Sequence, residues 1–567
     1  MSPGDSKVEW ALEPIKNTKY EFSDYLGLRL ENNLHHWILT APYSNPAMIE
    51  MLRDRDKKPP RELNPWDGEY PGKYLISAVL CWRISPNPEL RHVIQYVVDQ
   101  LIEVQDGDGY LGPFSRDQRF DGYLYSKSLA LHQEKNGIPS PHKALRIWDL
   151  WGHYHCLLGL LLWYQESGYE PAFNAVIKTA DLICDKYLYG AEKMVNTGAE
   201  EMNLAIIHLF CLLYKETGSD KYFNMAREIV DEFQSPQAGD YIHKAMDGVE
   251  FYSMPKTRWE SLHCLQGIGE MYSLTGDAKY RQAFEHIWWS IVKYDRHNNG
   301  GFSTNEKAIG NPFLPGVIET CCTTAWLAYS IDMLKMTGFS GVADEIELST
   351  FNAALGAQHP SGRWWTYNTP MEGYRRAFYE DHNWQAHPGS PELNCCINGP
   401  RTLGMISEWA IMKSPEGIAL NYYGPSRITL NDFQGKEIIF QQETLYPRDH
   451  RVRLSLFPKE PIPFSLNLRI PSWSNTTRVL VNDDQVSPIK PVSFSKAIPI
   501  ENRWPQPWVL VTIPTETGTN IVLCDFATAG ATGSPYWSWL PVKNMESIPF
   551  SKKNPLRTQR VKNVLVE

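Results

Sequence analysis

The sequence has no long hydrophobic run and no excess of basic residues. Its 567 residues carry 55 basic and 65 acidic side chains, so the net charge is −10, whereas nucleic-acid binding relies on a basic surface that attracts phosphates. The longest apolar run, residues 156–164, is well short of the roughly 18 residues that can span a bilayer. The composition therefore predicts a globular protein that binds neither nucleic acid nor a membrane.

Cysteines are also few, and the N-terminus lacks an apolar signal segment. Ten cysteines in a chain of this length are too few for a disulfide framework, and most of them lie in apolar runs, where buried free thiols are common. The first residues, Met1 to Lys7, have little apolar character. We expect a cytoplasmic protein, or a periplasmic or secreted one if an export signal has been removed.

Apolar residues recur at three- and four-residue spacing from about residue 74 to residue 412, which is typical of helices. A phrase close to Tyr-x-x-Thr-Gly recurs there, and its glycine is the residue type that ends a helix in the left-handed conformation. The glycines are Gly168, Gly218, Gly276 and Gly338. Helical hairpins of this length form an open solenoid or a closed toroid, and the long Gly/Asp loop at residues 105–112 favours the toroid.

After about residue 417 the pattern changes to the alternation that is typical of antiparallel strands, as in residues 451–456 and 465–470. We therefore expect a second, antiparallel β-domain. The predicted organisation is an N-terminal segment that packs on one of the two domains (residues 1–60), the helical domain (61–415), the β-domain (416–520) and a C-terminal tail (521–567).

Two cysteine groups stand outside the pattern of isolated buried thiols. They are Glu319-Thr320-Cys321-Cys322 and Cys395-Cys396, and helical patterns follow them near Thr323 and Arg401. The positive end of a helix dipole favours thiolate over thiol, and three thiolates with one carboxylate could form a tetrahedral Zn²⁺ site. Two buried thiol clusters without a metal, or a redox pair, are alternative interpretations of the same pattern.

Several phrases in a fixed order carry a family resemblance. They are Gly68-Glu69-x-x-Gly72-Lys73-x-Leu75, Gln105-x-x-Asp108-Gly109-Tyr110-Leu111-Gly112, Glu319-Thr320-Cys321, Trp365-Thr366-Tyr367-Asn368-x-Pro370, Cys395-Cys396, Glu443-Thr444-Leu445-Tyr446-Pro447 and Leu468-Arg469-Ile470-Pro471-Ser472-Trp473. No phrase is specific by itself, but their order and spacing resemble glycoside hydrolase family 127, the β-L-arabinofuranosidase family. The resemblance covers most of the chain and implies an (α/α)6 barrel catalytic domain followed by an antiparallel β-sandwich.

The resemblance also implies roles for individual residues. Glu319, Cys321, Cys395 and Cys396 correspond to the family's zinc ligands, and Cys395 corresponds to its cysteine nucleophile. Glu306 corresponds to the general acid/base; the alternative is a solvated loop carboxylate. In a two-step retaining mechanism such a carboxyl group protonates the leaving oxygen and then activates water, while zinc keeps the cysteine ionised.

Three further residues resemble the family's sugar contacts. His155 and His263 would hydrogen-bond sugar hydroxyls, and Tyr367 would also contact the sugar. A core or helix-capping histidine is the alternative for His155 and for His263, and simple packing is the alternative for Tyr367. The additional thiol of Cys322 is expected to be buried support.

The sequence departs from the family pattern at two places that concern the substrate. Family members that act on arabinofuranose follow the double cysteine with Pro-Pro-Asn, whereas here residues 397–401 read Ile-Asn-Gly-Pro-Arg, and residues 197–203 replace an expected histidine phrase. We expect a retaining exo-glycosidase that releases terminal L-arabinofuranose, or a related pentose-type sugar, from pectic plant glycans. The alternative within the family is release of aceric acid, a branched acidic sugar, from rhamnogalacturonan II.

Two other classes of function stay open at this point. An enzyme that epimerises sugars or hydrolyses unsaturated uronides would use histidine or aspartate chemistry and leave Cys395 idle. A non-catalytic carbohydrate-binding or scaffold protein would hold zinc only for structure. An oligosaccharide is the expected partner, and a homodimer is the assembly to test.

Overall fold

The computed structural model describes residues 7–124, 145–312, 316–375, 393, 395–415, 417–472, 474, 476–486, 526–528, 531 and 536–537. Most of the predicted C-terminal tail and part of the predicted β-domain lie outside these residues. Among the helices of the described part, none combines the length and the apolar character that crossing a membrane requires.

Helices dominate the chain as far as residue 409. The α-helices of the described residues are α1 (Asp24–Asn33), α2 (Ala41–Ser44), α3 (Ala47–Arg53), α4 (Tyr70–Ile84), α5 (Pro88–Val104), α6 (Asp149–Ser167), α7 (Glu170–Tyr187), α8 (Glu200–Leu204), α9 (Ile207–Thr217), α10 (Asp220–Glu232), α11 (Tyr241–Met246), α12 (Ser261–Thr275), α13 (Ala278–Tyr294), α14 (Thr320–Thr337), α15 (Ser340–Leu348), α16 (Leu355–Ala357), α17 (Cys395–Gly404) and α18 (Ile406–Trp409).

The helix contacts close into a ring. Helix α4 packs on α6, α6 on α8 and α9, these two on α12, α12 on α14, α14 on α17, and α17 again on α4. The ring helices are buried on nearly all sides, whereas the helices that follow them along the chain, such as α7 after α6, bury only one face. Because a helix that is apolar all round must lie inside, the ring forms the core of the helical domain.

The four repeated glycines end ring helices, as predicted. Gly168, Gly218, Gly276 and Gly338 follow α6, α9, α12 and α14 with φ between 61° and 73°. Each glycine N–H donates to the carbonyl four residues earlier at 2.8 Å, which satisfies a carbonyl at the helix end. The following outer helix begins two residues later in each case, so the repeated phrase marks the tip of each helical hairpin.

A sheet domain follows the helices. Its strands are β8 (Ile411–Ser414), β9 (Gly417–Leu420), β10 (Ser426–Phe433), β11 (Lys436–Thr444), β12 (Val452–Pro458) and β13 (Ser465–Leu468), which β1 (Glu13–Pro14) and β2 (Thr18–Phe22) join from the N-terminus. Two four-stranded sheets have the orders β1-β8-β9-β13 and β12-β11-β10-β2. The β9–β13 pair is parallel, so the antiparallel expectation is wrong for this pair; the intervening strands β10 to β12 supply the crossover that parallel pairing needs.

Smaller strand pairs lie within and beside the helical domain. They are β3 (Tyr123–Leu124) with β4 (Leu145–Arg146), β5 (Val317–Glu319) with β6 (Asn368–Pro370), β7 (Glu372–Gly373) with β16 (Tyr536–Trp537), and β14 (Leu480–Val481) with β15 (Asp484–Gln485). The β5–β6 pair matters for function because Glu319 is its last residue and stands opposite Asn368.

A buried ion-pair cluster joins the sheet domain to the helices. Arg469, just after β13, contacts the carboxylates of Asp344 and Glu347 on α15, and its side chain is fully buried. The Tyr446 hydroxyl donates to Glu347 at 2.5 Å. This cluster fixes α15, the partner of the ring helix α14, against the sheets.

Candidate metal and active site

Three of the predicted metal ligands meet where two ring helices begin. Glu319 ends β5 and caps α14, Cys321 lies in the first turn of α14, and Cys395 opens α17. One ligand atom from each lies within 4.8 Å of the other two. The two helices begin three and six residues earlier than the sequence pattern predicted, which places both thiols directly within the first turns.

The hydrogen bonds of the two sulfurs differ. The Cys395 thiol donates to Glu319 Oε1 at 2.6 Å. The Cys321 sulfur accepts from Lys73 Nζ at 3.7 Å and from Asn398 Nδ2 at 3.4 Å. Burial acts to raise the pKa of Cys321, but the neighbouring Cys395 side chain and the charge of Lys73 outweigh it, so the pKa of Cys321 is lowered.

The same cluster concentrates acidic groups away from water. Burial raises the pKa of Cys395 well above its usual value, and the nearby Cys321 thiolate adds to this rise. Burial, with the neighbouring charges of Glu306 and Cys321, raises the pKa of Glu319 in the same direction. A divalent cation would relieve this crowding, and a donor set of thiolates and a carboxylate suits zinc better than magnesium or calcium. The residues present therefore fit a zinc ion.

Cys396 and Cys322 lie outside the group formed by Glu319, Cys321 and Cys395. The Cys396 sulfur lies 3.0 Å from the Trp365 carbonyl oxygen and is not within the group of three ligand atoms. The Cys322 sulfur is buried 3.8 Å from Glu319 Oε2. The structure thus brings together three of the four predicted ligands and leaves Cys396 beside them.

Two charged residues of the site carried no role in the sequence-based prediction. Lys73 and Glu69 lie one turn apart at the start of α4, form an ion pair of 2.7 Å, and are 0% and 2% exposed. The Trp151 indole also donates to Glu69. Burial acts to lower the pKa of Lys73, but Cys321 and Glu69 outweigh it and raise that pKa above the usual value, so Lys73 is a buried cation beside the thiolates. The sequence signal that could have identified Glu69 and Lys73 was their four-residue spacing within the phrase Gly68-Glu69-x-x-Gly72-Lys73-x-Leu75.

Glu306 lies in a tight turn rather than free in solvent. Its side chain is 18% exposed and its carboxylate pairs with Arg258 at 3.0 Å. Glu306 is also one of the charges that raise the pKa of Glu319, so the structure brings it near the cysteine cluster. The alternative of a solvated loop carboxylate is disfavoured by this ion pair.

The two predicted sugar-binding histidines are fully buried and meet edge to face, with their imidazole centroids 5.7 Å apart. Within the part of the chain that the structure describes, both ring nitrogens of His155 and the Nε2 atom of His263 lack a hydrogen-bond partner. His263 Nδ1 lies 2.9 Å from Gln266 Oε1. Burial and the charges of Lys73 and Arg401 lower the pKa of both histidines well below the usual value, so both are neutral.

Tyr367 and the segment at residues 197–203 make mainly structural contacts. Tyr367 is 5% exposed, its carbonyl accepts from the Thr320 N–H at 2.9 Å, and burial together with Glu319 raises its pKa well above the usual value. Asn203, in the segment expected to face the sugar, donates to Thr197 at 2.8 Å and accepts from the Trp151 N–H at 3.2 Å. These bonds hold Asn203 within the protein.

Arg401 is a third charged residue without a role in the sequence-based prediction. It lies on α17, is 5% exposed, and within the described residues its Nε and Nη1 have no hydrogen-bond partner. Its charge contributes to the lowered pKa values of His155 and His263, which places it near them. A buried guanidinium without a counter-ion is costly, so an anionic group is the expected occupant beside it.

This protein has a helix-rich domain with a buried Glu-Cys-Cys group, and a sheet domain follows it. Comparison of the sequence with models of known protein families identifies the class. The model of the β-L-arabinofuranosidase GH127 catalytic domain matches residues 11–403, and that of the GH127 middle domain matches residues 417–506. The chain belongs to glycoside hydrolase family 127, as the sequence resemblance indicated.

Three individual relatives share between 18% and 24% of their aligned residues with this chain. A non-reducing end β-L-arabinofuranosidase of Bifidobacterium longum is 24% identical over 334 residues, which cover 53% of this chain and 47% of that protein. The chain thus spans about half the length of this curated relative. A GH127 β-L-arabinofuranosidase structure from Geobacillus stearothermophilus has a TM-score of 0.63 at 18% identity, with 82% of this chain and 77% of that chain covered.

A second solved structure, described as a GH127 β-arabinofuranosidase, has a TM-score of 0.64 at 19% identity and covers 84% of this chain and 77% of that chain. At these identities the two structures show a shared fold. They agree with a helix-rich catalytic domain followed by a sheet domain.

Proposed function

We propose that this protein is a retaining exo-glycoside hydrolase that releases terminal L-arabinofuranose, or a related pentose-type sugar, from pectic plant glycans. The observation that carries the proposal is the meeting of Glu319, Cys321 and Cys395 at the first turns of α14 and α17. Membership of family 127 and the activity named for the bacterial relatives give the reaction class.

The proposal extends to finer points of architecture. The ring of helices with its outer partners is taken to be an (α/α)6 barrel, and the two four-stranded sheets are taken to form a β-sandwich. The boundaries at residues 60, 415 and 520 and the homodimer stay predictions.

Zinc is the proposed metal, held by Glu319, Cys321 and Cys395, with Cys396 as the fourth ligand implied by the family resemblance. When bound, zinc would keep the cysteine sulfurs ionised and lower the basicity of the departing thiolate. The crowding of buried acidic groups around Glu319 supports a cation at this place.

Cys395 is the proposed nucleophile. The Cys321 sulfur already accepts hydrogen bonds from Lys73 and Asn398, which suits a permanent ligand. In the first step the Cys395 sulfur bonds to the anomeric carbon, the glycosidic C–O bond breaks, and Glu306 gives its proton to the leaving oxygen. In the second step Glu306 takes a proton from water, the water oxygen attacks the anomeric carbon, and the C–S bond breaks.

His155, His263 and Tyr367 are the proposed sugar contacts. The ring nitrogens of His155, without a partner in the described residues, offer one donor and one acceptor to sugar hydroxyls because the imidazole is neutral. The Nε2 atom of His263 offers a further contact. Tyr367 stays protonated and can donate from its hydroxyl.

The test combines metal content with turnover. Zinc per chain is measured by mass spectrometry, and hydrolysis is followed with 4-nitrophenyl β-L-arabinofuranoside, for the wild type, Cys395→Ser and the control Cys211→Ser, a buried free thiol of α9. We expect about one zinc per chain and loss of turnover in Cys395→Ser only. A folded wild type that takes up no zinc, or an active Cys395→Ser variant, would refute the mechanism.

A second candidate is favoured by one observation. The buried guanidinium of Arg401 lies near His155 and His263, and its Nε and Nη1 have no hydrogen-bond partner within the described residues. Such a group suits a carboxylate, which arginine binds in a bidentate manner. The released sugar would then be acidic, as in the alternative of aceric acid from rhamnogalacturonan II. Arg401→Met should abolish release of the acidic sugar in this case, whereas unchanged release of a neutral arabinofuranoside by Arg401→Met would support the first candidate.

A further inference from the structure

We propose that Arg258 is a positioning residue that holds the Glu306 carboxylate in place for proton transfer, with Glu260 as the anchor of the arginine. The inference rests on the proposed function, in which Glu306 is the general acid/base. Arg258 was not among the residues that the sequence or the family resemblance singled out.

The backbone around Glu306 is fixed on both sides. Asn305 and Glu306 have φ of 50° and 70°, a left-handed conformation that residues other than glycine rarely adopt. The Asn305 N–H donates to the Val317 carbonyl at 2.9 Å, and the Ala308 N–H donates to the Thr257 carbonyl at 2.9 Å. The turn is therefore held between the start of β5 and the segment that carries Arg258.

Arg258 bridges two carboxylates. Its Nη1 lies 3.0 Å from Glu306 Oε2, while its Nη2 and Nε donate to the two oxygens of Glu260 at 2.8 and 3.1 Å. Glu260 is 1% exposed and precedes the first residue of α12. The bidentate pair fixes the plane of the guanidinium, so its Nη1 group is held in one place, 3.0 Å from Glu306 Oε2.

The charges around Glu306 explain why such a partner is needed. Glu260 and Glu319 are both near enough to interact electrostatically with Glu306, and like charges repel a flexible carboxylate from the place where it must act. Arg258 offsets this repulsion and keeps the carboxylate beside the cysteine cluster. Misplacement of a catalytic group by about 1 Å can cost about 100-fold in rate, so the loss of Arg258 should reduce the rate and leave binding largely intact.

The experiment compares two glycosides of the same sugar. Proton donation is needed for a poor leaving group and hardly for a good one, so methyl and 4-nitrophenyl β-L-arabinofuranoside separate the role of Glu306 from that of Cys395. The variants are Glu306→Gln, Arg258→Met, Arg258→Lys and the control Arg281→Met. Arg281 pairs with Glu285 at 2.6 Å with side chains 21% and 18% exposed, close to the 27% and 18% of Arg258 and Glu306.

For Arg258→Met we expect kcat/KM, which reports the first step, to fall about 10- to 100-fold on the methyl glycoside. The fall in kcat/KM on the 4-nitrophenyl glycoside should be much smaller, and KM for the methyl glycoside should change by less than about 3-fold. Arg258→Lys should recover part of the rate because its ammonium can still pair with Glu306. Zinc content should match that of Arg281→Met, which keeps full activity. The melting temperature of Arg258→Met should lie below that of Arg281→Met, because the buried Glu260 carboxylate loses its cation, and Arg258→Lys should restore part of this loss.

The outcomes that would overturn the inference differ from those that would overturn the proposed function. If Glu306→Gln loses turnover of the methyl glycoside while Arg258→Met keeps it within about 2-fold, the positioning role alone is wrong. An equal loss of kcat/KM on both glycosides that Arg258→Lys does not recover would make Arg258 merely structural. A fully active Glu306→Gln variant, or a wild type that hydrolyses neither glycoside, would overturn the proposed function and this inference with it.

Discussion

The substitution Lys73→Met tests how the buried charges of the site are balanced. It removes the ion pair of Glu69 with Lys73, which is 2.7 Å long with both side chains almost fully buried, and leaves that carboxylate with the Trp151 indole as a donor. Breaking a buried pair by removing one partner costs about 3 to 5 kcal/mol. For a cooperative unit of about 400 residues, with an unfolding entropy of about 0.8 kcal/mol/K, the melting temperature should fall by about 4 to 6 °C.

The effect of pH on this loss has a definite sign. Burial raises the pKa of Glu69, and Lys73 opposes this rise, so the variant should raise the pKa of Glu69 further. A carboxyl group whose folded-state pKa is raised gives its full stabilisation below the unfolded pKa and loses it as the pH rises through the folded value. The difference between wild type and variant should therefore shrink as the pH falls towards the usual range of a glutamate.

The assay is thermal unfolding followed by tryptophan fluorescence between pH 5 and 8, with Glu69→Gln and the double variant measured beside Lys73→Met. The double variant should be more stable than Lys73→Met alone, because no uncompensated carboxylate is left behind. A fall of less than about 1 °C in Lys73→Met, or a double variant that is no more stable, would refute the idea that this pair balances the buried charge.

Two further predictions concern packing. Gly72→Ala should lower the melting temperature strongly, because a Cβ on Gly72 would lie 2.1 Å from the His155 carbonyl carbon where α4 crosses α6. Gly107→Ala is the control, because a Cβ on Gly107 would meet no atom within 4 Å. Its stability in the same thermal assay should stay within about 0.5 kcal/mol of the wild type. Arg469→Met leaves Glu347 buried without its cation and should cost about 3 to 5 kcal/mol; limited proteolysis should then cleave between the helical and sheet domains, and an unchanged digestion pattern would contradict this.

Local patterns predicted much of the fold and the centre of the site. The glycine phrases located the ends of the helical hairpins, because a left-handed residue after a helix is a local requirement that only a few residue types meet. Glu319 and Cys321 were predictable for a similar reason, since two ligands that are only two residues apart lie close together whatever the rest of the chain does.

Contacts between distant segments were harder to predict. Lys73 meets Cys321 across 248 residues of sequence, and no local pattern around Lys73 indicates that contact. The start of α17 was predicted six residues late because Pro400 lies inside this helix, and proline disfavours a helix interior. Packing of α17 against α4 and α14 overrides that local preference.

The two sulfurs of the cluster are unequal because of their neighbours, and this difference bears on which of them can attack. Lys73 and Asn398 donate to Cys321 and help to lower its pKa, whereas burial and the Cys321 charge raise the pKa of Cys395. Among thiolates, intrinsic nucleophilicity falls as the pKa falls, so Cys321 would be the weaker nucleophile of the two once both are ionised. Lys73, which suits Cys321 to its proposed role as a permanent ligand, therefore also leaves Cys395 as the more reactive sulfur. Loss of Lys73 should narrow the difference in alkylation rate between the two cysteines.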